Sequence, residues 1–128
     1  MKSILINSTL KTVTEVDYSG NYQDIYKLLG CEMFEVVALG KGEDCFVDEE
    51  GLMTLAPGTT FFYYAGTHQP IAGNGLILRC NAAGESVATK LTVDKVKANV
   101  KFMTLDEVRN PKSYSPFEDS MEYHQSIA

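Results

Sequence analysis

The first half of the chain alternates between short apolar runs and polar turns. Residues 3–7 and 12–17 are rich in β-branched and aliphatic side chains, and the second run alternates with a period of two residues. Such a pattern is typical of strands, and the short separation between the two runs predicts a hairpin. After this hairpin, Asn21 is expected to cap a helix with apolar residues at spacings of three and four, which ends at Gly30.

A second hairpin is predicted immediately after this helix. Residues 34–39 and 45–47 have strand composition, and residues 40–44 between them have the glycine and aspartate content of a tight turn. An acidic turn follows at residues 48–51, and residues 52–55 are expected to continue the sheet until a proline-glycine pair interrupts it. The strands are therefore expected to be short.

Two further strands are predicted in the middle of the chain. Residues 59–64 are β-branched and aromatic, whereas residues 75–80 form the most apolar run of the sequence. Because a strand that is buried on both faces has such a composition, residues 75–80 are expected to lie at the centre of the sheet. Residues 65–74, which include glycine, histidine and proline, are expected to form an exposed segment between the two strands.

A second helix is predicted to begin after Thr92. The threonine hydroxyl is expected to cap it, with Val93, Val96 and Val100 on one face and lysines directed toward water. Residues 100–103 either end this helix or form a last strand.

The chain is expected to form one domain followed by an extension. A length of 128 residues fits a single core. We assign residues 1–104 to an α+β domain, in which two helices pack on a small mixed or antiparallel, strongly twisted sheet of short strands. Beyond this point the apolar pattern decays and prolines interrupt any long helix. Residues 105–128 are therefore expected to be a C-terminal tail, or an extension that packs on the domain or on a partner subunit.

The formal net charge of −6 is concentrated in the first half of the chain. Residues 1–64 hold 4 Lys and 10 Asp or Glu, whereas residues 65–128 hold 7 basic and 7 acidic residues. An acidic chain without a basic run has no means of releasing counterions from a duplex, so general nucleic-acid binding is not expected. A small anionic ligand near the neutral second half is compatible with this distribution of charge.

Cysteine content and hydropathy indicate the compartment. Cys31, Cys45 and Cys80 are odd in number and none forms a Cys-x-x-Cys pair, which favours free thiols in a reducing compartment. No apolar run has the length of a signal peptide core or approaches the roughly 20 residues of a membrane span. We therefore expect a cytoplasmic protein without a membrane partner.

Catalytic and metal-binding patterns are not recognisable in the sequence. The two histidines, His68 and His124, are far apart and lack a flanking nucleophile signature. The carboxylates between residues 44 and 50 lack the spacing of a calcium loop. Residues 40–42 and 73–75 resemble fragments of phosphate-binding loops, but they lack the rest of the motif and are better interpreted as turns. We expect no enzyme, no metal and no cofactor.

Four consecutive aromatic residues at positions 61–64 are the most suggestive candidate for a binding surface. Alternate side chains of a strand face opposite sides, so one pair points away from the core unless the sheet is covered on both faces. An outward pair would offer a stacking surface for a base or a hydrophobic face for an oligomer, whereas full coverage would place all four in the core. Arg79 also has the alternative of pairing with a carboxylate at the sheet edge. For a bound nucleotide, the candidate ligand-binding residues are Phe62, Tyr64, His68, Gln69 and Arg79.

The order of several motifs resembles a known family. A hairpin is followed by a helix ending in Leu28-Leu29-Gly30-Cys31, by the strand Phe34-Glu35-Val36-Val37, by the acidic turn and by the Ile-Ala-Gly-Asn-Gly-Leu-Ile-Leu segment at residues 71–78. Across residues 2–103 this order is similar to that of the domain-of-unknown-function family 3846. The resemblance implies an origin in bacteriophages, plasmids or other mobile elements, and a role in acting on host machinery or in counter-defence.

These features lead to a functional hypothesis with two alternatives. We expect a viral or mobile-element accessory protein that acts by binding in the host cytoplasm, where it sequesters a small nucleotide signal of antiviral immunity. The first alternative is an acidic inhibitor that docks on a basic surface of a host protein. The second is an enzyme acting on a nucleotide or phosphoester, with His68 as acid-base and a metal at the acidic turn. Sequestration favours a homo-oligomer, because two copies can enclose a ligand that one small sheet holds only in a shallow cleft.

Overall fold

The computed structural model describes residues 1–50, 57–67 and 69–110, and this part of the chain has the predicted α+β class. Every strand pairing in it is antiparallel. In chain order the elements are β1 (Lys2–Asn7), β2 (Thr12–Asp17), α1 (Gln23–Leu29), β3 (Phe34–Gly40), β4 (Glu43–Asp48), β5 (Thr60–Tyr64), β6 (Ile71–Ala72), β7 (Gly75–Cys80), β8 (Ser86–Val87), α2 (Val93–Ala98), β9 (Val100–Thr104) and α3 (Leu105–Arg109).

Two sheets are present instead of the single sheet that the sequence pattern predicts. The large sheet has the order β2-β1-β7-β4-β3, and β8 adds to β7; the small sheet has the order β6-β5-β9. The predicted hairpins β1–β2 and β3–β4 are confirmed, and so is the central position of β7, which pairs with both β1 and β4. Residues 100–103 belong to a strand, so the second of the two expectations for them is correct.

Local capping chemistry explains the two predicted helices. The Asn21 side chain accepts a hydrogen bond from the backbone N–H of Gln23 at 3.0 Å, although Tyr22 holds the cap position itself. At the other end Gly30 adopts a left-handed conformation with φ +68, which costs a glycine little. Helix α2 begins as predicted, because the Thr92 hydroxyl accepts from the backbone N–H of Lys95 at 3.1 Å.

A third helix, α3, was not predicted and falls in the segment that was assigned to a C-terminal extension. Thr104 and Glu107 form a reciprocal capping box, in which each side chain accepts from the backbone N–H of the other. Leu105 and Val108 then pack against the small sheet. With only five residues, this helix is too short to show a hydrophobic period in the sequence.

The layers follow from three groups of buried side chains. Helix α1 covers one face of the large sheet, through a cluster that includes Ile25, Phe46 and Leu76. The other face packs against the small sheet and α2, with Ile77 of β7 and Phe62 of β5 in one cluster. The far face of the small sheet is covered by α3. The small sheet is therefore buried on both of its faces.

The structure corrects the expectation for the segment between β5 and β7. Residues 65–74 were expected to be an exposed segment, but Ile71 and Ala72 form β6 and are only 8% and 4% exposed. Residues 52–55, which were expected to continue the sheet, and most of the C-terminal extension lie outside the described residues. Within the described ranges, no helix is long and apolar enough to span a membrane.

Candidate functional site

The aromatic strand β5 does not present a stacking surface. Phe62 lies between the two sheets and Phe61 lies against the α3 side, and both side chains are 0% exposed. Tyr64 is on the same side as Phe62 and is 7% exposed. The interpretation of these residues as an outward pair is wrong, because a second sheet and a third helix cover both faces of the strand. Phe62 is a core residue.

The five predicted ligand-binding residues do not form one site. Tyr64 and Gln69 line two different clefts, and His68 lies outside the described residues. Arg79 lies opposite Glu43 in the β4–β7 register, yet it belongs to neither of the ion pairs found in the described part of the chain. Its guanidinium instead packs over Gly42, where an added Cβ would lie 3.3 Å from an Nη atom. The expected pairing of Arg79 with a carboxylate is therefore not seen among these residues.

The cleft lined by Tyr64, named the lysine cleft below, has a volume of about 310 Å³. It lies between the turn that joins β3 to β4, the end of β5 and helix α2. Its walls combine two lysines, one carboxylate, a phenol and an amide with aliphatic side chains. The lining residues are Leu39, Gly40, Lys41, Glu43, Tyr64, Ala65, Leu91, Lys95 and Asn99.

A buried carboxylate forms the floor of the lysine cleft. Glu43 is 5% exposed, and its two oxygens accept hydrogen bonds from the Thr89 hydroxyl at 2.5 Å and from the backbone N–H of Lys90 at 3.0 Å. Bonds of this charge-assisted kind hold the carboxylate in one orientation. By contrast, neither Lys41 nor Lys95 forms an ion pair with any described residue. Two ammonium groups are therefore available to an anion at the cleft.

The hydroxyl of Tyr64 is the most informative group in the lysine cleft. The residue is 7% exposed, but its hydroxyl makes no hydrogen bond with any residue in the described ranges. Burial raises the pKa of this phenol, and the neighbouring Cys45 and Glu43 raise it further, so the hydroxyl stays protonated and can donate. Because Tyr64 lines the cleft, this hydroxyl is a donor that a ligand in the cleft can use.

A second cleft, named the acidic cleft, lies on the same face of β3 but nearer the beginning of that strand, and has a volume of about 400 Å³. Three carboxylates line it, together with Gln69 and the residues that precede β6. These carboxylates are not arranged to hold a metal ion together, and no group of three or more His, Cys, Asp or Glu among the described residues is. The full lining consists of Glu35, Val37, Val47, Asp48, Glu49, Thr67, Gln69, Pro70, Ile71 and Ala72.

Sequence reasoning missed most of the lysine cleft. Lys41 was recognised as part of a glycine-flanked turn, and Lys95 was placed on the polar face of a helix, but nothing in the pattern linked them. Their meeting with Tyr64 depends on the pairing of β5 with β9, which places the end of α2 beside the end of β5. The glycine-flanked Lys41 at the β3–β4 turn was the one local sequence feature that could have pointed to this cleft.

Comparisons with known proteins give a family and no function. The chain matches no curated protein and no solved structure. A family model, described as a domain of unknown function, matches residues 1–103, which is well over half of the chain. That range contains β1 to β8, α1, α2 and almost all of β9, and it includes every residue that lines either cleft. The chain therefore belongs to the family of the Domain of unknown function (DUF3846).

Proposed function

We propose that this protein binds a small anionic organic ligand of the nucleotide type in the lysine cleft and does not turn it over. The observation that carries this proposal is the Tyr64 hydroxyl, which makes no hydrogen bond with a described residue and lines the same cleft as Lys41 and Lys95, neither of which is in an ion pair with a described residue. A ligand that accepts a hydrogen bond from this phenol and carries a negative charge would satisfy all three groups at once.

Size and polarity support a nucleotide-like ligand. A volume of about 310 Å³ is at the small end of the roughly 300–1,000 Å³ that ligand pockets occupy. Lys41 and Lys95 suit phosphate oxygens, and the buried Glu43 beside them disfavours a ligand that is anionic throughout. Leu39 and Leu91 provide apolar contact for a base or a sugar. The ligand is therefore expected to have one charged end and one neutral, hydrogen-bonding end.

The biological role that we propose for this binding is sequestration. A phage or mobile-element protein of this family would remove a nucleotide signal of host antiviral immunity from the host cytoplasm. Binding without turnover suits that role, because each copy then holds its ligand out of circulation. Conversion of the bound nucleotide by the purified protein would contradict this role and would favour the enzyme alternative.

Titration calorimetry with a panel of linear and cyclic nucleotides, and with inorganic phosphate as the simplest anion, tests the binding site. We expect Lys95→Ala to weaken the binding of the best nucleotide about tenfold, which corresponds to about 1.4 kcal/mol for one charge-assisted contact. Lys97→Ala is the matched control, because Lys97 lies on the same helix, is exposed and does not line the cleft. Equal losses in both variants, or no binding across the panel, would overturn the proposal.

The acidic cleft supports a second candidate function, that of a protein inhibitor. Glu35, Asp48 and Glu49 lie together on one side of the molecule and give it a local negative charge that suits a basic protein surface. The variant Glu35→Gln with Glu49→Gln separates the two functions. Loss of host-protein binding with unchanged nucleotide affinity would favour the inhibitor, whereas unchanged protein binding would exclude the acidic cleft as the docking site.

A further inference from the structure

Strand β3 forms an edge of the large sheet, and within the described ranges its only neighbour is β4. Natural edge strands are usually protected from pairing by lysines, prolines or inward charges. Here the strand reads Phe-Glu-Val-Val-Ala-Leu-Gly and contains one charged residue, Glu35. Val36 on this strand and Met33 just before it are 48% and 49% exposed. The opposite edge, β2, carries two carboxylates within six residues.

The hydrogen-bonding direction of each β3 residue follows from the register with β4. Met33 precedes Phe34, which pairs with Asp48, and the carbonyl of Met33 accepts from the backbone N–H of Glu49 at 3.1 Å. In an antiparallel ladder, hydrogen-bonded pairs alternate with non-bonded pairs. The backbone groups of Glu35 and Val37 therefore point toward β4. Those that point away from the sheet belong to Phe34, Val36 and Ala38.

The charges near β3 are distributed unevenly along the strand. Glu32 and Glu35 lie at its beginning, and the acidic cleft adjoins them. Lys41 follows its end, where the lysine cleft begins, and Glu43 and Asp44 come directly after it. An antiparallel copy of the same strand reverses this order, so Lys41 of one copy would lie beside Glu32 of the other. The two-fold axis repeats this opposite-charge pair at both ends of the paired strands.

We propose that two copies of this chain pair through β3 about a two-fold axis at Val36, which joins the two large sheets into one continuous sheet. Val36 then lies opposite Val36 of the other copy, and Phe34 lies opposite Ala38. All three outward-pointing residues of each strand find backbone partners, and the exposed Val36 side chains pack on each other. Glu35 faces Val37, so no two like charges are directly opposite.

This pairing goes beyond the proposed ligand binding and does not depend on it. Strand β3 lines both clefts, the acidic cleft through Glu35 and Val37 and the lysine cleft through Leu39 and Gly40. With the axis at Val36, Glu35 and Val37 of one copy lie opposite Val37 and Glu35 of the other, so the two acidic clefts lie side by side and each lysine cleft lies beside the beginning of β3 of the other copy. A ligand larger than one lysine cleft would contact both copies.

Sedimentation equilibrium of the wild-type protein and of Val36→Lys tests the pairing. The wild type is expected to sediment with the mass of two chains, and Val36→Lys with the mass of one, because two ammonium groups would be directly opposite at the axis. Thr14→Lys is the matched control, since Thr14 is also exposed, on the other edge strand β2. A monomeric wild type, as expected if another part of the same chain covered β3, would overturn the proposal, and so would a dimeric Val36→Lys.

A cross-linking variant tests the two-fold axis itself. Opposed residues of a hydrogen-bonded antiparallel pair have Cα atoms about 5.5 Å apart, within the roughly 4.4–6.8 Å that a disulfide spans. Val36→Cys is therefore expected to form a disulfide-linked dimer under mild oxidation, whereas Thr14→Cys and the wild type are not. Circular dichroism before oxidation confirms that each variant is folded. Equal cross-linking of the two cysteine variants would place the interface elsewhere.

Discussion

Gly75→Ala tests the packing of the two sheets, on which both clefts depend. Gly75 is the first residue of the central strand β7, opposite Ile6 of β1 and Val47 of β4. A Cβ at this position would lie 2.7 Å from the Sγ of Cys45 and 2.7 Å from the Cζ of Phe62. Both neighbours are almost completely buried, at 1% and 0% exposure, so neither can move aside into solvent. The absence of a side chain therefore allows the Phe62 ring to approach the large sheet.

The expected magnitude follows from two opposing effects. Replacing glycine by alanine in a strand reduces the entropy lost on folding, which contributes about 0.5–1 kcal/mol. Overpacking a close-packed core costs about 1–3 kcal/mol, and here two rigid contacts are far shorter than the usual van der Waals distance. We expect overpacking to win, with a net loss of about 1–2 kcal/mol in the free energy of unfolding.

Urea denaturation followed by circular dichroism measures this loss, and Cys45→Ala provides the control. Removal of the Cys45 sulfur eliminates one of the two close contacts but leaves the Phe62 contact in place. The double variant should therefore be more stable than the sum of the single changes predicts, by about 0.5–1 kcal/mol. An unchanged or increased stability for Gly75→Ala, or strict additivity with Cys45→Ala, would refute this packing of β5 against β7.

Three further predictions concern single groups. Tyr64→Phe is expected to change the free energy of unfolding by less than about 1 kcal/mol, because the hydroxyl makes no hydrogen bond with a described residue and lines an open cleft; a larger loss of stability in urea would show that the hydroxyl is hydrogen-bonded within the protein. Burial, followed by the charge of Asp44, raises the pKa of the Cys45 thiol to about 12 from an ordinary value of 9.0. Since the thiol ionises first in the unfolded chain, stability should fall as the pH rises from 9.0 toward about 12, and Cys45→Ala should flatten that slope in denaturation curves. Thr104→Ala breaks the capping box of α3 and should cost about 0.5–2 kcal/mol, whereas Thr9→Ala, at an exposed position in the β1–β2 turn, should have a smaller effect in the same assay.

Local sequence patterns were sufficient for the elements whose determinants lie close together in the chain. The β1–β2 and β3–β4 hairpins each join strands through a short turn, so the pairing partners are neighbours in sequence. Helix α2 has its capping threonine and its buried Val96 within five residues. The continuous apolar run of β7 indicated a central strand, since burial on both faces removes the need for polar alternation.

The small sheet and the candidate site depended on contacts that no local pattern encodes. Strand β5 pairs with β9, about forty residues later in the chain, and its aromatic side chains are covered by the large sheet on one face and by α3, which follows β9, on the other. The same pairing places Lys95 near Tyr64 and Lys41, three residues that are far apart in sequence. The sequence by itself determined the α+β class, the two hairpins and the central strand, because these follow from periodicity and turn chemistry over a few residues. Only the tertiary structure decided that there are two sheets and where the clefts lie, because both result from long-range strand pairing that periodicity does not specify.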